Sequence, residues 1–231
     1  MAKEQKKNKM KSVTVKANKK GRHIMKLLNF LRCLVIPVYY ILKPFKFFGP
    51  RKVKDGACVY VTNHYTLLDP AYPAVTTWEG IHFLGKKEIL KTPGLGLLAK
   101  GVKMIPVNRD GNDVRALLDA YKCLKNGEKI AIFPEGTRNK TSEPFLPFKA
   151  GAAMLAIRAK APIVPMVIYK KPRYFRTTHI LTTEPFELTQ YYDRKLTDEE
   201  VAEADEFVSK YMQEMYDKHT EFLQSKKKKG K

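Results

Sequence analysis

The sequence has few cysteines, few acids and no repeat of fixed period. Its three cysteines, Cys33, Cys58 and Cys123, are far apart, so we expect neither a disulfide framework nor a local Cys-x-x-Cys metal or redox site. Against 44 Lys and Arg stand only 23 Asp and Glu, and the resulting charge of +21 excludes an acidic tail protein. With 44% hydrophobic residues among 231, the chain has enough apolar material for one folded domain.

A long uncharged run is also missing. The longest near the N-terminus is Cys33–Leu42, whereas a helix that spans a bilayer needs about 20 apolar residues, so a transmembrane helix is disfavoured. No small-x-small cleavage pattern follows it, which argues against a secretory signal. We therefore expect the protein on the cytosolic side.

The two ends carry much of the positive charge. Met1–Lys26 holds ten Lys and Arg and one acid, and we predict a basic disordered arm over residues 1–23. Residues 24–50 are apolar with interspersed cations, which predicts an amphipathic membrane-associating helical segment on an anionic surface. The alternative for residues 24–50 is a core helix with a solvated basic face. Residues 226–231 are predicted as a basic tail.

Between the ends, short β-branched runs alternate with amphipathic helical stretches, as in parallel strands joined by crossovers. The predicted strands are Ala57–Thr62, Ile81–Leu84, Val102–Val107, Lys129–Phe133, Ile163–Ile168 and Ile180–Thr183. Helices are predicted at Val114–Lys125, at Ala150–Ala159 and from Thr197, as N-cap with Glu200 three residues on, to about Gln224. We predict a single α/β domain over residues 51–225, with a mostly parallel central sheet flanked by helices.

In such sheets the chemistry lies in loops beyond the carboxyl ends of the strands. Four polar loops follow predicted strands here: Asn63–Pro70, Gly85–Glu88, Asn108–Gly111 and Pro134–Asn139. These loops are where we expect the site.

The first of these loops contains a histidine and an aspartate five positions apart, His64 and Asp69. They meet only if the backbone turns between them, since five residues of regular helix would separate them by about 140°. Asp69 would then fix the imidazole tautomer, and His64 would act as a general base. By itself this pattern is weak, and a solvated loop histidine is the default alternative. Because no Gly-x-Ser-x-Gly elbow or nearby cysteine is present, we expect the substrate to supply the nucleophile, most simply an alcohol.

Two arginines follow predicted strands, Arg109 and Arg138, and both suit a phosphomonoester. Gly136 permits close backbone approach and Thr137 can donate a hydrogen bond. The alternative for either arginine alone is a surface salt bridge.

Six short sequence motifs occur in order between Val53 and Ile168. They are Asn63-His64 with Asp69, Gly85–Glu88, Ile105–Arg109, Phe133–Arg138, Phe148–Gly151 and Ile163–Pro165. In order and spacing the sequence resembles the glycerolipid acyltransferases, specifically the 1-acylglycerol-3-phosphate acyltransferase family.

The resemblance implies an activity. His64 would take the proton from the sn-2 hydroxyl of lysophosphatidic acid, which attacks an acyl thioester to give phosphatidic acid with no acyl-enzyme. Asp69 would orient His64. The donor would be acyl-CoA or acyl carrier protein, and neither a metal nor another cofactor is expected.

The resemblance also implies binding roles. Arg109 would bind the substrate phosphate, and the acceptor site would be shaped by Glu135, Gly136, Thr137 and Arg138. Lys86 and Lys149 would contact phosphate or the developing oxyanion. Pro165 would pack against the acyl chain or acceptor, or serve only as a strand-end proline. Asn108 and Ala150 depart from the family pattern, which leaves fine substrate choice open.

Alternatives from other classes remain. The chain could acylate glycerol 3-phosphate or a lysophospholipid instead, or be a membrane scaffold without catalysis. The charge also suits nucleic acid, but it is concentrated at the ends and no nucleic-acid motif is present, so no specific nucleic-acid partner is expected. The expected location is the cytoplasmic face of the cell membrane, peripheral or monotopic, on an anionic surface.

Overall fold

The computed structural model describes residues 36–51, 53, 55–93, 96, 99, 103–108, 113–149 and 151–229. The chain divides into two compact units, residues 1–41 and residues 42–231. Of the first unit only residues 36–41 are described, and all six are helical. The predicted basic arm and residues 24–35 of the predicted membrane-associating segment lie outside the described residues. No helix in the described ranges has the length and apolar composition required to span a bilayer.

Seven strands of the described residues form one sheet. They are β1 Phe45–Phe48, β2 Cys58–Thr62, β3 Ile81–Lys86, β4 Ile105–Val107, β5 Lys129–Ile132, β6 Ile163–Tyr169 and β7 Thr178–Thr182. Their order across the sheet is β1-β7-β6-β2-β5-β3-β4. All neighbours are parallel except β6 and β7, so β2 to β6 share one direction. This confirms the predicted, mostly parallel α/β sheet.

Helices lie between the strands and after the last one. They are α1 Ala71–Ala74, α2 Val114–Lys125, α3 Ala152–Ala159 and α4 Asp198–Lys229, with 3-10 turns at Lys87–Lys91 and Thr189–Tyr191. Helix α2 has the predicted bounds, and the Asp113 carboxylate caps it by accepting the N–H of Ala116. Before α4, the Thr197 hydroxyl accepts the N–H of Glu200 at 3.3 Å, and the Glu200 carboxylate accepts the N–H of Thr197 at 3.0 Å. The predicted reciprocal cap is therefore present.

Helices α2, α3 and α4 cover one face of the sheet. Val59 and Ile130 on that face pack in one core cluster with Ala120, Ala156 and Val208 of the three helices. Because successive strand residues point to opposite faces, the intervening residues of β2 face the other side. The central strands β2 and β6 are buried along their whole length.

Two predicted segment boundaries differ from the structure. Residues 45–48, which we placed in the helical segment 24–50, form β1 beside β7. Pairing with β7 explains this, since Phe45 to Phe48 pair residue by residue with Thr178 to Leu181, far away in sequence. Residues 226–229, predicted as tail, continue α4, where the Lys226 ammonium lies 4.9 Å from the Phe222 ring centre one turn earlier.

Candidate active site

The loop after β2 brings His64 and Asp69 together. Nδ1 of His64 lies 3.0 Å from Oδ2 of Asp69, whose side chain is fully buried. Oδ2 also accepts the backbone N–H groups of Tyr65 at 2.6 Å and Thr66 at 2.7 Å. Oδ1 accepts the Thr66 hydroxyl at 2.6 Å. The chain thus turns around the carboxylate, which is the geometry that the spacing required.

The contact with Asp69 sets the state of the His64 ring. A carboxylate only accepts, so Nδ1 donates and the lone pair of the neutral ring is on Nε2. No described residue bonds Nε2, and the side chain is 18% exposed. The ring lies against Phe133, with 4.3 Å between ring centres. His64 therefore offers one basic nitrogen at the surface of the sheet edge.

Glu135 lies in the loop after β5, and its buried side chain bonds the backbone of the His64 loop. Its side chain is 2% exposed, and Oε1 accepts the backbone N–H of His64 at 3.3 Å. Oε2 is buried and has no hydrogen-bond partner among the described residues. Burial raises the pKa of Glu135 to about 7, and the charge of Asp69 adds to this, although N–H groups of His64 and Leu146 oppose it. A buried carboxyl group whose pKa is raised by burial therefore contacts the backbone of the histidine.

Asn63 fixes the point where the chain leaves β2. Its Nδ2 donates to the carbonyl of Ile168 at 3.1 Å, and its Oδ1 accepts the N–H of Ile168 at 2.8 Å. The fully buried amide therefore continues the ladder between β2 and β6 by one side chain. On the other side, the N–H of Asn139 donates to the carbonyl of His64 at 2.6 Å. His64 is held by β6 and by the loop after β5 at once.

The supporting residues Asn63, Thr66 and Asn139 were not predicted from the sequence as site residues. A local signal existed for Thr66, because a hydroxyl residue three positions before an aspartate is typical of a side-chain-stabilised turn. No such signal existed for Asn139, whose partner His64 lies 75 positions away in sequence.

Gly136 and Lys149 form a close contact. Gly136 has φ +64°, and a Cβ on it would lie 3.0 to 3.2 Å from three side-chain atoms of Lys149. The N–H of Lys149 donates to the carbonyl of Pro134 at 2.8 Å. A larger residue at position 136 would thus be strained and would displace the lysine.

The predicted phosphate-binding residues lie at this same edge of the sheet. Lys86 ends β3, while Arg138 and Lys149 follow β5, and all three are exposed without an ion pair to a described acid. Thr137 is exposed beside them. Arg109 lies outside the described residues; its strand β4 ends at Val107, which pairs with Lys86. The sequence-predicted residues that are described therefore lie at one edge of the sheet, with Glu135 buried and the cations exposed.

One group of possible metal ligands occurs in the described part of the chain. His82, Cys123 and Glu128 place their ligand atoms within 4.8 Å of one another. His82 is the second residue of β3, so the group lies at the amino edge, away from His64. It takes no part in the site.

The arrangement around His64 suits proton abstraction from a bound hydroxyl. Neither described cysteine contacts it, and burial raises the pKa of Cys58 to about 12 and of Cys123 to about 11. With no thiolate among the described cysteines and Nε2 open, the fold and site define a class of α/β protein in which a histidine nitrogen, rather than a cysteine, is available to a bound substrate.

The comparisons with known proteins identify the family within that class. A family model described as Acyltransferase matches residues 44–169, a range that includes His64, Asp69 and Glu135. The chain belongs to this acyltransferase family, which confirms the resemblance predicted from the ordered blocks.

Two similar proteins with assigned names are also acyltransferases. The chain is 37% identical over 124 residues to the 1-acyl-sn-glycerol-3-phosphate acyltransferase of Helicobacter pylori, covering 53% of this chain and 52% of that protein. It is 30% identical over 166 residues to the human 1-acyl-sn-glycerol-3-phosphate acyltransferase beta, covering 64% of this chain and 59% of that protein. The chain thus spans about half to three fifths of the length of these two relatives.

A solved structure has the same fold. The crystal structure of the 1-acyl-sn-glycerophosphate (LPA) acyltransferase PlsC from Thermotoga maritima matches with a TM-score of 0.55 and 25% sequence identity. The match covers 74% of this chain and 72% of that one. The parallel sheet with its flanking helices is therefore the architecture of a known acyltransferase.

Proposed function

We propose that this chain transfers an acyl group from a thioester to the sn-2 hydroxyl of lysophosphatidic acid, producing phosphatidic acid. The observation that carries the proposal is the His64–Asp69 pair, with Nδ1 bonded at 3.0 Å and Nε2 open. The names of the relatives support the substrate, since those matched are 1-acylglycerol-3-phosphate acyltransferases.

In the reaction, one proton moves from the acceptor hydroxyl to His64 and then to the departing thiolate. Nε2 of His64 takes the hydroxyl proton while the hydroxyl oxygen bonds to the thioester carbonyl carbon. The tetrahedral intermediate then breaks its C–S bond, and the departing thiolate receives the proton from the imidazolium. Asp69, fully buried beside Nδ1, stabilises the imidazolium between these steps. No acyl-enzyme forms, because the nucleophile belongs to the acceptor.

The exposed cations around His64 are proposed to bind the acceptor phosphate. Lys86, Arg138 and Lys149 have no described acidic partner, so their charge is available to a phosphomonoester. Arg109 would join them on the basis of the family resemblance. Gly136 would leave room for the phosphate, and Thr137 would donate a hydrogen bond to it.

We also propose the acyl donor and the location of the protein. The donor is acyl-CoA or acyl carrier protein, and no metal or further cofactor enters the steps above. The basic N-terminal residues support a peripheral or monotopic position on the cytoplasmic face of an anionic membrane.

The test is acyl transfer by the full chain in mixed micelles. Labelled acyl-CoA and acyl carrier protein are offered in turn with lysophosphatidic acid, glycerol 3-phosphate or lysophosphatidylcholine. We expect phosphatidic acid from wild type with one donor and almost none from His64→Ala. Product from another acceptor alone would overturn the choice of lysophosphatidic acid. No product with any pair, from folded lipid-bound protein, would overturn the transferase in favour of a scaffold.

A further inference from the structure

The connection between β6 and β7 is a basic loop, residues 170–177, called here the 170–177 loop. It carries four cations, Lys170, Lys171, Arg173 and Arg176, and no acid. All four are exposed, and none forms an ion pair with a described acid. Unlike the surface cations that do have carboxylate partners, such as Lys160 with Asp193 at 2.6 Å, these charges have no neutralising neighbour in the described chain.

Two solvent-exposed aromatic side chains lie at the tip of this loop. Tyr174 is 64% exposed and Phe175 is 71% exposed, with 6.5 Å between their ring centres. Leaving adjacent rings in water forgoes the burial that stabilises most aromatic residues. Neighbouring exposed rings of this kind mark interaction surfaces rather than packing.

The loop is nevertheless anchored. The N–H of Phe175 donates to the carbonyl of Leu42 at 2.8 Å, and the Lys43 ammonium lies 4.7 Å from the centre of the Tyr174 ring. Phe175 has φ +55°, which is unusual for a bulky residue. Its backbone is thus tied in place with the ring outside.

The 170–177 loop shares an edge of the sheet with the candidate site. It begins where β6 ends, two residues after Ile168, whose N–H and carbonyl are both bonded by Asn63 beside His64. The loop after β2 adds Leu67 and Leu68 to the same edge, 42% and 46% exposed. Exposed apolar groups and cations without ion-pair partners therefore lie at the same edge of the sheet as the open nitrogen of His64.

We propose that the 170–177 loop docks this edge of the protein on an anionic lipid bilayer. Tyr174 and Phe175 enter the interfacial layer, while the four cations contact headgroup phosphates. Paired aromatic and basic residues are the chemistry of membrane-interface anchors, whereas an acidic protein surface would require only the cations. The docking does not depend on acyl transfer and adds a second contact to whatever residues 24–35 supply, as stable anchoring requires more than one signal.

The first experiment measures binding of the full chain to vesicles of equal parts phosphatidylcholine and phosphatidylglycerol, with no acyl donor. The test variants are Tyr174→Ala/Phe175→Ala and Arg173→Gln/Arg176→Gln. Matched controls at the other edge are Trp78→Ala, an exposed aromatic 70% open to solvent, and Lys122→Gln/Lys125→Gln at the end of α2. We expect each test variant to bind about tenfold more weakly and each control to bind like wild type.

Equal binding by test variants and wild type would overturn the proposal, as would equal losses in the controls. Thermal unfolding of each variant separates lost docking from lost folding, and we expect little change because the substituted side chains are exposed. Since no donor is present, an inactive enzyme leaves this result unaffected.

A second experiment detects insertion directly. Trp78 is the one tryptophan in the sequence, so Phe175→Trp in a Trp78→Phe background gives a single reporter in the loop. We expect its emission to shift to shorter wavelength on adding the same vesicles and to be quenched by brominated acyl chains. No shift with vesicles would overturn docking at this loop. A shift with soluble acyl carrier protein instead would assign the loop to an acidic protein partner.

Discussion

Two histidines at opposite ends of the parallel strands each contact a carboxylate, but only one keeps a nitrogen free. His64, after β2, bonds Asp69 through Nδ1 and leaves Nε2 open. His82, at the start of β3, places Nε2 3.3 Å from Glu128 and Nδ1 3.1 Å from the carbonyl of Lys103. A His–carboxylate pair thus becomes a candidate base only where the second nitrogen faces a space for substrate. At the carboxyl edge, Nε2 of His64 has no bond to a described residue, and the side chain is 18% exposed.

The largest difference is expected from replacing each histidine. His64→Ala removes the proposed base, so we expect kcat/KM for lysophosphatidic acid to fall by about 10²–10⁴-fold. His82→Ala removes a residue that meets no substrate, and we expect activity near wild type, after correction for folded fraction. Steady-state acyl transfer with the preferred donor measures both. Similar losses in the two variants would contradict the distinction.

The carboxylates that contact the two histidines, Asp69 and Glu128, are expected to differ in the same way. Asp69→Asn can turn its amide N–H toward Nδ1, which favours the tautomer with the proton on Nε2. We expect kcat to fall on the order of 10²-fold or more, with KM little changed. The matched change Glu128→Gln leaves kcat near wild type. A loss confined to KM in Asp69→Asn would assign Asp69 to acceptor binding instead of orientation.

Glu135, which contacts the backbone of His64, and Glu128, which contacts His82, change the stability with pH in opposite directions, and Glu135 has the larger effect. Its folded pKa of about 7 lies above the ordinary value of 4.5, so the folded state holds a proton that the unfolded state has lost between these values. Wild-type stability should therefore fall as pH rises from about 4.5 to 7, by up to about 3 kcal/mol. We expect Glu135→Gln to lack this decline. Denaturant unfolding across that range measures the difference; parallel curves would contradict the raised pKa.

Glu128 gives the smallest effect. Burial alone would raise its pKa, but the charges of His82 and Lys103 outweigh burial and hold the pKa below the usual range. Its contribution to stability is present above pH 4.5 and is lost as pH falls through the folded value. Because the side chain is 35% exposed, solvent screening limits it, and we expect Glu128→Gln to cost under about 1 kcal/mol at pH 7. A cost that persists at acid pH would point to packing instead.

Elements with strong local patterns were predicted well. Helix α2 has the predicted bounds because its apolar residues recur at helical spacing between an Asp113 cap and Gly127. The His64–Asp69 turn followed from five-residue spacing after a buried strand. Strand β1 was missed because four residues within an apolar, basic segment gain their strand structure from β7, whose paired residues lie 133 positions away.

The sequence by itself determined the alternation of strands and helices, the loops that carry polar residues and the family, since these depend on local periodicity and ordered motifs. Only the tertiary structure decided which polar groups meet: Glu135 behind His64, Glu128 against His82, and the 170–177 loop beside the site. The tertiary structure also decides burial and neighbouring charge: burial raises the pKa of Glu135, whereas the charges of His82 and Lys103 lower the pKa of Glu128. The reason is physical: hydrophobic pattern acts between neighbours in sequence, whereas desolvation and charge act between neighbours in space.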